Sequence, residues 1–235
     1  MRDRVCRAIR MVRGQIDDSA LPKLPLMWTE WNVPSYGPLN ARDNWYVGPA
    51  LAHDISQCDG AVKMMSWWTF DDVFEEGGVP RDPFHGGFGL IASGSIRKPS
   101  FYDFLLLHAL GHERLANSAD DVLVTRRKDG TLVVAAWNLV DVDKLAEGKP
   151  IEMHLAFKGI SPHARVSLER VDEHHGNPMI AYQAMGSPRY PTQAQIAALN
   201  KASTLPPPEK LRLSGGKLNL KLGVNELAVM EIKPE

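Results

Sequence analysis

No stretch of this sequence approaches the roughly 18–20 uninterrupted apolar residues that a membrane-spanning helix requires, which argues against a spanning segment. Charge of one sign is lacking too. The chain carries 27 Lys+Arg against 28 Asp+Glu, a formal net charge of −1, whereas a nucleic-acid binder shows a basic excess. Cysteine is scarce. Cys6 and Cys58 stand 52 positions apart, with neither a CxxC nor a Cys/His spacing, which argues against a structural zinc. Two buried thiols in a reducing compartment are expected, with a disulfide left open. The opening MRDRVCRAIRMVRG lacks the apolar core of a secretory signal, so a cytoplasmic address is expected; a native signal would lie on residues absent from this chain. No internal repeat or low-complexity tract occurs. What is present is ordinary globular material: 235 residues, 44% of them hydrophobic, enough for one large domain or two ordinary ones.

The first half reads as alternating strands and helices. Val5, Ala8, Ile9 and Val12 form the stripe of an amphipathic helix over 3–14, with its arginines on the solvated face. LPLMWTEWN has no helical period and reads as a strand buried on both faces of a parallel sheet. A second helix fits roughly Ala41 to Ser56, where Pro49 requires a kink or a late start. AVKMMSWWTF is a second buried-type strand, followed by a long acidic, glycine-rich loop from Asp71 to Gly89. Pro99 opens a third helix that continues to a stop at Gly111. This rhythm is that of a β/α barrel or a doubly wound sheet.

The pattern changes near Ala116. Short alternating strands follow: Val122–Arg126, Thr131–Asn138, Ile151–Phe157, Ala164–Val171, Leu211–Leu213, Lys217–Leu222 and Glu226–Ile232. Asp129-Gly130 between the first two is a hairpin signal. These strands predict an antiparallel β-sandwich, interrupted by a short helix opened at Thr192. The fold expected is therefore α/β plus all-β, with residues 1–115 and 116–235 as its two parts.

Glu30 ends a strand between Trp28 and Trp31, and Asp71, Asp72, Glu75 and Glu76 crowd the loop after the strand carrying Trp67 and Trp68. In a β/α barrel the carboxyl ends of all strands open onto one face, so both acidic elements would look into one cleft. Carboxylates beside indole platforms suit a sugar ring: the aromatic faces cover its C–H surface, and the carboxylates bond its hydroxyls or act as acid and nucleophile. Trp67 and Trp68 should diverge, one to the core and one to the cleft. His85 among glycines fits a backbone-bonded structural role. The adjacent His174 and His175 diverge too much to share a metal. From the residues alone, the reading stops at a carbohydrate-type cleft.

Four segments carry a more specific resemblance: LPLMWTEWN, SWWTFDDVFEEGGVPRDPFHGGFGLI, RKPSFYDFLLLHALG and RVDEHHGNPMIAYQAMGSPRYPT. Together, and in this order, they resemble glycoside hydrolase family 39, the β-xylosidase and α-L-iduronidase family, with the β-xylosidase branch the closer. The resemblance implies the C-terminal portion of a (β/α)8 TIM barrel followed by an antiparallel β-sandwich. It implies that Glu30 is the nucleophile of a retaining mechanism and that Trp68, Glu75 and Glu76 line the sugar subsite. No metal or cofactor is implied; the partner is a small glycoside or oligosaccharide.

In that family the acid/base lies in an Asn-Glu-Pro motif on the fourth barrel strand, and this sequence contains none. Only 29 residues precede Glu30, too few for six strands and their helices in a barrel of about 250 residues. The expectation is a C-terminal fragment, inactive alone, that aggregates, forms a homo-oligomer or pairs with a missing N-terminal barrel half. A non-catalytic carbohydrate-binding or interaction module is the competing reading.

Overall fold

The computed structural model describes residues 3–33, 41–73, 78 and 82–234. The chain opens with helix α1 (Arg4–Asp17), which buries Cys6 and Ile9. Its arginines do more than meet solvent. Arg10 donates to the Gln57 carbonyl at 2.6 Å, and Arg13 bonds the carbonyls of Pro22 and Leu24 at 2.8 and 2.7 Å, pinning the connector that leads into the first strand.

That strand, β1 (Met27–Trp31), is followed by a 3-10 turn at Ala41–Asp43, helix α2 (Val47–Cys58) and strand β2 (Met64–Trp67). Pro49 falls in the first turn of α2, where its missing N–H costs no helical hydrogen bond, so the helix starts late. β1 and β2 pair in parallel and, among the described residues, form a two-stranded sheet. The expectation of strands buried on both faces is therefore not met. Met27 is 50% exposed and Met64 45%, because each strand has one strand neighbour instead of two.

Cys6 on α1 and Cys58 at the end of α2 form a disulfide, with Cα atoms 5.1 Å apart. This corrects the expectation of two separate thiols. α1 lies across the C-terminal turn of α2, and the two sulfurs meet in an apolar cluster with Ile9, Leu26, Trp28, Val62 and Met65.

Next come the short strands β3 (Ile91–Ala92) and β4 (Ile96–Arg97), a hairpin too small to leave a periodic signal, and helix α3 (Pro99–Leu107) with proline at its first position. β5 (Glu113–Leu115) already pairs with β6 (Val122–Arg126), so the antiparallel sheet begins just before the change of pattern at Ala116. β7 (Leu132–Trp137), β8 (Ile151–Ala156), β9 (Arg165–Val171), helices α4 (Met179–Ala184) and α5 (Gln193–Ser203), and strands β10 (Glu209–Arg212), β11 (Lys217–Leu222) and β12 (Leu227–Ile232) complete the chain. The β6–β7 turn places Gly130 at φ +83°, and Asp129 accepts from the Thr131 amide at 2.9 Å, as the Asp-Gly pair predicts. Thr192 and Gln195 form a reciprocal capping box at the start of α5.

Six strands form one antiparallel sheet in the order β10-β9-β12-β7-β6-β5, and β11 pairs with β8 in a second. Alternation along β7 and β12 explains why the large sheet is apolar on both faces. Leu132, Val134, Ala136, Ala228, Met230 and Ile232 share a core with Leu220 and Leu222 of the small sheet. Val133, Ala135, Trp137, Leu227 and Val229 pack against Leu51 of α2 and Tyr102 and Leu106 of α3. The inserted helices α4 and α5 cover the β3–β4 hairpin, with Phe84 and Tyr182 in edge contact at 4.8 Å. The second half of the chain thus braces the loop that follows β2.

Candidate active site

The parallel pair sets the geometry. β1 and β2 end side by side, Trp31 opposite Trp67, and the Trp68 amide donates to the Trp31 carbonyl at 2.9 Å. Glu30, one residue before the end of β1, is solvent-exposed and borders an open cleft of about 430 Å³ with Arg4, Trp28, Asn32, Arg42 and Phe88. Among the described residues, two guanidinium groups thus share the rim with one carboxylate.

Beneath Glu30 lies an aromatic stack. Trp31 meets Trp67 edge-on at 5.1 Å, and Trp67 meets Phe104 at 5.4 Å. Such edge-to-face packing fixes ring orientation as well as burying area. Trp67 therefore belongs to the core, and Trp68, 37% exposed, faces outward, the divergence that strand alternation predicts. The Trp68–Thr69 peptide is cis. Trp68 adjoins Glu30 through the strand ends but is not among the walls of the 430 Å³ cleft. Glu75 and Glu76 lie outside the described residues.

The loop from 82 to 90 is held by groups at the strand ends. Asn32 donates its side-chain amide to the Trp68 and Phe88 carbonyls, and Trp67 donates its indole N–H to the same Phe88 oxygen at 3.2 Å. Arg42 lies 4.1 Å over the Phe88 ring and donates to the Gly86 carbonyl at 2.9 Å. His85 is exposed and bonds the Asp82 carbonyl through Nδ1, in keeping with a structural histidine. His175 is tied to Asp172 at 2.8 Å, and the same carboxylate accepts the backbone amides of His174 and His175.

Asp72 corrects the idea that the acidic loop points wholly into the cleft. Its side chain is buried, and its carboxylate lies 2.6 Å from the equally buried Lys98 ammonium, which is 2.7 Å from Asp43. Asp72 also accepts the Gly89 amide, Asp43 accepts the Gly86 amide, and Lys98 bonds the Gly87 carbonyl at 3.0 Å. Burial pushes the Asp43 carboxyl above its ordinary range, while Lys98 beside it pulls the other way. The cluster therefore clamps the glycine-rich loop. A Cβ on Gly89 would strike the backbone of Asp71 and Asp72, and one on Gly87 would strike the Asp72 carboxylate, so glycine is required at both. Lys98 and Asp43 left no signal in the sequence. Only the run of glycines 86, 87 and 89 hinted that something packs tightly there.

A cleft of this build, with a glutamate at the end of a parallel strand, invites comparison with known proteins. The sequence profile of glycosyl hydrolases family 39 matches residues 2–212. The chain belongs to glycoside hydrolase family 39. It is 37% identical over 227 residues to a β-xylosidase of Geobacillus stearothermophilus, covering 95% of this chain and 44% of that protein. With a β-xylosidase of Caldicellulosiruptor saccharolyticus it shares 34% over 208 residues, 83% of this chain and 40% of the other. A crystal structure of a monomeric β-xylosidase from Caulobacter crescentus CB15 superposes with a TM-score of 0.87 at 29% identity, covering 100% of this chain and 50% of that one. This family 39 chain thus spans at most half the length of these relatives.

Proposed function

We propose that this chain carries the nucleophile half of a retaining, β-xylosidase-like O-glycosidase site, with Glu30 as the nucleophile. The observation that carries the reading is Glu30 itself: an exposed carboxylate at the C-terminal end of a parallel strand, bordering an open cleft beside Trp28, in a family 39 chain. In this reading residues 1–115 are the last part of a (β/α)8 barrel and residues 116–235 an accessory β-sandwich. Trp68 lends an exposed indole face to the sugar, and Glu75 and Glu76 bond its hydroxyls. The matching relatives named β-xylosidases support a small β-xyloside as substrate.

The Glu30 carboxylate attacks the anomeric carbon of the bound pyranose, the bond to the leaving oxygen breaks with its electron pair, and a glycosyl ester forms on Glu30. Water then opens the ester, releasing the sugar with retained configuration. Retaining chemistry uses a second carboxyl group roughly 5–5.5 Å away to protonate the leaving oxygen. These 235 residues contain no Asn-Glu-Pro. General acid catalysis is worth about 10²–10⁴-fold, so the chain alone should be inactive on ordinary xylosides and act only where the leaving group departs as a stable anion without protonation. A complementary barrel part supplying the second carboxyl group would extend it to ordinary xylosides.

Turnover of dinitrophenyl β-xyloside, with Glu30→Gln as control, tests the assignment. Release of dinitrophenolate by the parent and its loss in Glu30→Gln is the expected result. Equal rates for both would overturn it.

A further inference from the structure

On the large sheet, on the face that α2 and α3 cover near Leu227, the end left uncovered carries an unbalanced set of charges. Arg165 on β9 stands directly opposite Arg212 on β10, and Lys210 stands opposite Ser167 two positions along. Lys233, just past β12, joins them around a groove of about 680 Å³. Like charges placed directly opposite across strands destabilise a sheet, so the Arg165–Arg212 pairing is a local cost that folding does not explain.

The acids nearby do not relieve it. Glu231, in the same groove, is held by Arg127 at 2.7 Å. Glu169 on the same face feels the charge of Lys210, and Glu209 pairs with Arg170 at 3.7 Å. Among the described residues none of Arg165, Lys210, Arg212 and Lys233 makes an ion pair, and all four are exposed. Lys210 is steadied by a 2.8 Å hydrogen bond to Ser167, which holds its ammonium over the groove. Among the described residues no aromatic ring lines the groove, so neither a neutral sugar nor a nucleic-acid base finds a stacking platform there. What the groove offers is positive charge and planar guanidinium donors, which match carboxylates in bidentate fashion.

We propose that this groove is a second glycan-binding site, separate from the Glu30 cleft, that takes the carboxylate groups of a uronic-acid-bearing oligosaccharide through Arg165, Arg212, Lys210 and Lys233. The choice of a glycan rests on the family reading above; the anionic specificity rests on the groove alone. Such a site would hold an acidic glycan chain against the protein without taking part in bond cleavage.

Titration calorimetry of the whole chain with trigalacturonic acid, xylotriose, inorganic phosphate and a short single-stranded DNA tests this. Trigalacturonic acid should bind, weaken at least tenfold in Arg165→Gln/Arg212→Gln, and weaken as salt rises from about 50 to 200 mM. Xylotriose should give no heat that depends on the two arginines. The double variant should melt no lower than the parent, since it removes a like-charge pair; Lys210→Gln/Lys233→Gln provides an independent second variant. Glu30→Gln should bind trigalacturonic acid like the parent, so failure of the nucleophile assignment and failure of this site remain distinguishable. Binding of phosphate as tight as that of the trisaccharide, tighter binding of the DNA, or trisaccharide binding indifferent to both double variants would each overturn the proposal.

Discussion

Lys98 Nζ lies 2.6 Å from Asp72 Oδ2 and 2.7 Å from Asp43 Oδ1, with all three side chains withdrawn from water. The lysine lies between the two carboxyl groups in the interior, and these also accept the amides of Gly86 and Gly89. Removing the cation strands both acids. Lys98→Met should destabilise the chain by about 3–5 kcal/mol in urea unfolding, the usual cost of breaking a buried ion pair from one side. An unchanged midpoint would show that the pair does not clamp the loop.

The Cys6–Cys58 disulfide closes a separation of 52 residues. Constraining an unfolded chain over that length is worth about 4 kcal/mol by loop entropy. Cys6→Ala/Cys58→Ala should lose stability of that order, and the parent should lose a similar amount in a reductant strong enough to open the bond. Because α1 supplies Arg4 to the rim of the Glu30 cleft, loosening this helix should also weaken sugar binding there. Identical denaturation curves with and without the bond would contradict this.

Two buried carboxyls, Asp54 and Asp103, contribute to the pH response with a definite sign. Burial, and then the charge of Asp3, raises Asp54 from 3.8 to about 7. Asp103 is raised well above its ordinary value by burial alone, with neither carboxylate oxygen hydrogen-bonded among the described residues. A raised carboxyl binds its proton more tightly when folded, so stability falls as pH climbs from about 4 and levels off once the folded group has ionised. For Asp54 that loss should end near pH 7 and vanish in Asp54→Asn. For Asp103 it ends at that group's own raised value, and Asp103→Asn should gain stability at neutral pH. Urea midpoints from pH 4 to 8 check both; midpoints rising with pH across that window would refute the signs.

Much of the fold was legible where chemistry is local. Pro99 and Thr192 marked helix starts, Asp129-Gly130 marked a hairpin, and alternation located β6, β7, β9, β11 and β12. The strands β3, β4 and β5 span two or three residues each, too few for any period to show. The exposure of β1 and β2 was illegible for another reason. An apolar run reports the sheet it suits, and Met27 and Met64 suit a sheet with neighbours on both sides. The position of Glu30 near the end of β1 and the outward face of Trp68 are legible from the strand pattern and its alternation. The Asp43–Lys98–Asp72 clamp joins residues up to 55 positions apart in sequence, and no spacing rule reports such a contact. The disulfide stays open at the level of sequence on similar grounds, since only the docking of α1 on α2 brings Cys6 to Cys58.

The assignment of Glu30 is tested most directly by trapping the covalent intermediate. A 2-deoxy-2-fluoro-β-xyloside with a dinitrophenolate leaving group needs no protonation to depart, and its fluorine slows hydrolysis of the glycosyl ester. Intact-mass analysis should show addition of one fluoroxylosyl group, and peptide mapping should place it on Glu30, with no addition to Glu30→Gln. A label on any other carboxylate, or a label that persists in Glu30→Gln, would contradict the account.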